Sequence, residues 1–155
     1  MDINKISKSL HVSEWNKVES TTVAGIGFEL VVTKKLVVNQ ATLLVKQLPL
    51  FDANTAMAWH NRAQTLNKDF KKKSGMFVAQ GFYLCLIADV TMADAVLAIQ
   101  RDTFGAIISN PGCYGILIVD KAQGVVHEKV IDLPSFSVLV KAFNQLSEIM
   151  LSNVA

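Results

Sequence analysis

Phe82-Tyr83-Leu84-Cys85-Leu86-Ile87-Ala88 carries no charge, and its odd and even positions are equally apolar. A strand with one wet face alternates, whereas a run apolar on both faces belongs to a strand covered from both sides. Asp89 and Val90 follow, then Thr91-Met92-Ala93-Asp94, with Thr and Asp spaced as a capping box that opens a helix. That helix is expected to reach Phe104 and to stop at Gly105. Asn110-Pro111-Gly112-Cys113 places proline and glycine at the central positions of a type II turn, and Tyr114 to Val119 is a second run apolar on both faces. Strand, helix and strand in that order predict a parallel, right-handed β-α-β crossover.

Upstream, Ala24, Ile26, Phe28, Leu30 and Val32 alternate with Gly25, Gly27, Glu29 and Val31, which reads as one half-buried strand from Val23 to Val32. A second strand, Ala41 to Leu48, is reached through a turn at Asn39-Gln40 or Lys34-Lys35, and Pro49 closes the hairpin. A helix then opens near Asp52 or Asn54, both good N-caps. Ala56, Trp59, Ala63, Leu66 and Phe70 step by 3, 4, 3 and 4, one face of an amphipathic helix. Lys68, Lys71, Lys72 and Lys73 gather at its end, where the helix dipole favours cations, and Gly75 is a natural stop.

Downstream, Lys121 to Gly124 turns the chain into an edge strand, Val125 to Ile131. A last helix from about Pro134 carries Phe136, Leu139, Phe143, Leu146 and Met150 on one stripe. A short first helix, free to fray, is spaced by Ile3, Ile6 and Leu10. The order is αββαβαββα: a mixed α/β fold, residues 1–155 as one domain, with a five-stranded sheet and helices packed on it.

Hydrophobic residues make up 51% of the chain and charged ones 18%, so apolar surface is expected beyond what one copy covers. Its uncharged stretches, Met76 to Ala88 and Gly105 to Val119, are too short to span a bilayer. The N-terminus has no signal-peptide core, and Cys85 and Cys113 have no metal-ligand spacing. A cytoplasmic protein with free thiols and no membrane partner is the expectation. Net charge is +2, with 13 lysines against Arg62 and Arg101 alone, a balance that disfavours the bidentate grip used on nucleic acid.

Candidate chemistry is sparse. Asp89 and Asp120 are each expected just past the carboxyl end of a parallel strand, the edge where open α/β sheets bind ligands. Together they would hold a divalent metal for phosphoryl or ester hydrolysis. The plainer reading is local, with Asp89 before a helix and Asp120 opening a turn. Cys113 is expected in an exposed turn at the opposite end, a nucleophile only with a base beside it. His60, Gln64, Asn67 and Lys71 form a polar stripe that would line a groove or face water. His11, His60 and His127 fit no zinc pattern, and His127 and Glu128 point to opposite faces of a strand. Gly25-Ile26-Gly27 opens a strand rather than a helix, so it is no phosphate loop. Glu29 lacks the lysine of a nuclease E-x-K strand, and Asp69-Phe70-Lys71 lies on a helix. No cofactor is implied. The reading favoured is a non-enzymatic binding or adaptor module, homodimeric, taking a small apolar ligand or peptide. Hydrolysis at Asp89 and Asp120 is the alternative, and a weak lysine-mediated contact with nucleic acid the third.

Overall fold

The computed structural model describes residues 1–100 and 107–154, apart from the side chains of 99 and 100. Its elements are α1 (Ile3–Val12), β1 (Asn16–Lys17), β2 (Thr22–Val23), β3 (Ile26–Gly27), β4 (Leu30–Leu36) and β5 (Asn39–Phe51). They continue with α2 (Ala53–Lys73), β6 (Ala79–Thr91), α3 (Ala93–Gln100), β7 (Cys113–Asp120), β8 (Val125–Val130) and α4 (Val138–Val154). The fold is mixed α/β, with six strands in the order β1-β4-β5-β6-β7-β8 and β2-β3 apart as a small hairpin. β5, β6 and β7 are parallel; β1, β4 and β8 run antiparallel to their neighbours. None of the described helices is long and apolar enough to cross a membrane.

The central run behaves as its composition demands. Phe82, Leu84, Leu86 and Ala88 pack against α2 and α3, while Tyr83, Cys85 and Ile87 pack against α1 and α4. All eight residues of β7 are buried. α2 starts at Asp52, whose carboxylate accepts the Thr55 N–H at 2.8 Å, and it buries Ala56, Trp59, Ala63, Leu66 and Phe70. α1 is capped by Asp2 and anchored by wholly buried Ile6 and Leu10, so its place at the terminus does not leave it loose.

The expected strand from Val23 to Val32 is broken: Val23 pairs with Ile26 across Ala24 (φ +50°) and Gly25 (φ +78°), a tight hairpin turn with both central residues left-handed. The β4–β5 turn is Val37-Val38, between paired Leu36 and Asn39, not Lys34-Lys35 or Asn39-Gln40. Val37 sits at φ +49°, where a β-branched residue is an outlier, so its identity gave no turn signal. Pro49 lies within β5. Gln47 N and the Val45 carbonyl both point toward the β4 side, and β4 pairing stops at Leu30–Val45, so Pro49 faces that side where no ladder needs its missing N–H. β5 therefore runs on to Phe51 and pairs in parallel with β6, adding a second crossover through α2. The sheet has six strands rather than five because Asn16–Lys17 joins β4.

Ser74 closes α2, its hydroxyl shared between Phe70 O and Gln80, while Gly75 takes no left-handed turn. Thr91 belongs to β6 and forms no capping box; Asp94 accepts the N–H of Ala95 instead. The expected end of α3, at Phe104 and Gly105, lies outside the described residues. The Asn110–Pro111 bond is cis and Gly112 has φ +134°, so the loop is not a type II turn. Phe136 stands exposed ahead of α4, which starts at Val138.

Candidate functional site at the carboxyl edge of the parallel strands

β5, β6 and β7 present their carboxyl ends along one edge, where the geometry of α/β sheets opens crevices. Asp89 and Asp120 both reach it, but Ala88 pairs with Asp120, so Asp120 shares a face with Ala88 and Asp89 points to the other. Asp89 is exposed and bonds Lys121 Nζ at 2.9 Å beside Gln47 and Pro49. A surface pair of that kind adds little stability. Asp120 is buried on the α3 side. Its carboxylate accepts the Gln123 N–H at 3.1 Å and its carbonyl the Gly124 N–H at 2.9 Å, with Gly124 at φ +67°. That is the turn-opening role of aspartate. The structure does not bring the two carboxylates to one metal position, and no cluster of three or more His, Cys, Asp or Glu side chains suited to a metal exists among the described residues.

Beside Asp120 lies a cleft of about 370 Å³. Ala93, Val96 and Leu97 of α3 form its apolar wall; Thr91, Asp120, Gln123 and His127 supply polar groups. Asp120 pairs with Val125, which puts His127, two residues further along β8, on the same face as its diagonal neighbour. The Thr91 hydroxyl is buried with no hydrogen-bond partner among the described residues, a condition that calls for a reason. Glu128 leaves the cleft for the other face and accepts the Ser147 hydroxyl at 2.6 Å. Sequence reasoning missed that Asp120 and His127 share one face and line the same cleft. A four-residue turn, Lys121 to Gly124, fixes it by setting 120 against 125.

None of the other sequence candidates lines this cleft. Asn67 Oδ1 accepts the Cys113 N–H at 3.0 Å, and a Cβ on Gly112 would overlap that oxygen, which is why glycine stands there. Gln64 and Lys71 are exposed and His60 half-buried, so the stripe divides between one buckle and a wet face. Cys113, expected in an exposed turn, is wholly buried at the start of β7, and burial pushes its thiol up to about 12. A thiol so protonated is no nucleophile. A larger groove, about 450 Å³, runs past Ser7, His11, Trp15 and Lys17, away from the carboxyl edge and without a buried carboxylate. Comparison with protein-family models, with curated proteins and with solved structures gave no match.

Proposed function

We propose that the chain is a non-enzymatic binding module whose ligand sits in the cleft between α3 and β8. One observation carries this reading: an apolar wall of Ala93, Val96 and Leu97 faces a buried carboxylate, Asp120, at the edge where α/β folds take ligands. Such a lining suits a small molecule with an apolar body and a cationic or hydrogen-bond-donating end, or a peptide side chain of that kind. Benzylamine is a direct probe. It is expected to give saturable NMR shifts at Leu97 and His127, with affinity about tenfold weaker in Asp120→Asn, which keeps the turn acceptor but removes the charge. Shifts that never saturate, or equal affinity in the variant, would dismiss the cleft as the site. Self-association is the second reading, favoured by Leu50, Val90 and Met92. Leu50 and Val90 stand exposed as paired residues on adjacent strand ends, and Met92 lies exposed just past the end of β6.

A further inference from the structure

The amino ends of the parallel strands carry an apolar tip. Val37 and Val38 form one turn of it; Met76, Phe77 and Val78 form the loop that enters β6. The Val38 carbonyl accepts the Ala79 N–H at 3.2 Å, so the two lie side by side. All five side chains are exposed, Met76 at 91% and Phe77 at 84%. The loop is tied at its base: Ser74 Oγ accepts the Gln80 N–H at 2.9 Å, and the Gly75 N–H donates to Val78 O at 3.0 Å. Little backbone freedom is left to lose on contact. Lysines collar the tip. Lys35 is on the second rung behind the valine turn, opposite Gln40, and Lys71, Lys72 and Lys73 end α2 just before the loop. Lys73 pairs with Asp69 at 2.9 Å, whereas Lys35, Lys71 and Lys72 make no ion pair among the described residues.

We propose that this tip docks on an anionic lipid surface, with Met76, Phe77 and the valines inserted among headgroups and the lysines set against acidic lipids. Charge decides the occupant. A second copy meeting the tip across a two-fold axis would press lysines against lysines. An anionic bilayer accepts apolar side chains at its interface and draws positive charge toward it at the same time. The contact is peripheral and uses no spanning helix. It is separate from the cleft, which lies at the opposite end of the parallel strands, so either proposal can fail alone.

Flotation with lipid vesicles tests it on the full chain. Wild type is expected to float with phosphatidylcholine vesicles containing about 30% phosphatidylserine, and to release as salt rises. Neutral phosphatidylcholine vesicles should bind at least about tenfold more weakly. Met76→Ser with Phe77→Ser should weaken binding about tenfold or more at unchanged Tm, because neither side chain packs in the fold. Lys71→Gln with Lys72→Gln should weaken it about tenfold and flatten the salt dependence. No association with anionic vesicles, equal association with neutral ones, or unaltered binding by both variants would each overturn the proposal. Capture of an acidic polypeptide by the tip without vesicle binding would overturn the lipid assignment as well.

Discussion

Cys85 and Cys113 are both wholly buried, and both thiols are pushed up to about 12 from an ordinary value of 9.0. Below pH 9 the folded and unfolded chains hold these protons alike. Above it the unfolded chain releases them and the folded chain does not, so stability should fall as pH rises from 9 toward 12. The slope is roughly 1.4 kcal/mol per pH unit for each thiol. Urea unfolding at a series of alkaline pH values measures it, and Ellman's reagent should find no fast-reacting thiol in the native protein at neutral pH. A flat profile past pH 10 would contradict the burial. The burial of Cys85 was legible in a strand apolar on both faces. That of Cys113 was not, because Asn67, 46 residues away, supplies the acceptor that seats it. Asp89 and Asp120 show the same limit. Their edge was legible, but their faces depend on a register in which a slip of one residue reverses every side chain.

At the scale of elements, periodicity was most reliable where many residues vote together. The α2 stripe is buried at every expected position. Leu66→Ala and Phe143→Ala should each cost about 2–5 kcal/mol, whereas Lys72→Ala should stay within about 0.5 kcal/mol. Urea denaturation of the three variants decides it, and equal effects at 66 and 72 would mean the helix is turned differently in solution. The first hairpin was the least legible element. Alternation ran unbroken through Ala24-Gly25, and the true β4–β5 turn consists of two valines, which no turn rule selects. In α4, Phe136 continued the stripe by spacing alone, yet Ser137, whose hydroxyl accepts the Leu139 N–H at 3.3 Å, starts the helix after it.

The whole molecule is a sheet with a cleft at the carboxyl edge of its parallel strands and an apolar tip at the amino edge. Sequence order supplied the mixed α/β class and one crossover; the second stayed hidden while Pro49 looked like the end of a strand. The outer strands defend themselves, β1 by its shortness and β8 by His127, Glu128 and Lys129, so copies should not join edge to edge. Association through Leu50, Val90 and Met92 would give light scattering a mass near twice 17.0 kDa. A monomer at tens of micromolar, roughly the range where weak dimers part, would remove that interface. The left-handed Val37 bears on how this protein could be bred. A lineage chosen only for endurance of heat would replace that valine early, since glycine sits there without steric penalty and asparagine with less than valine. Its descendants would be sturdier and would have lost part of the apolar tip. With the docking proposed above, hardiness and grip would be set against each other at a single codon.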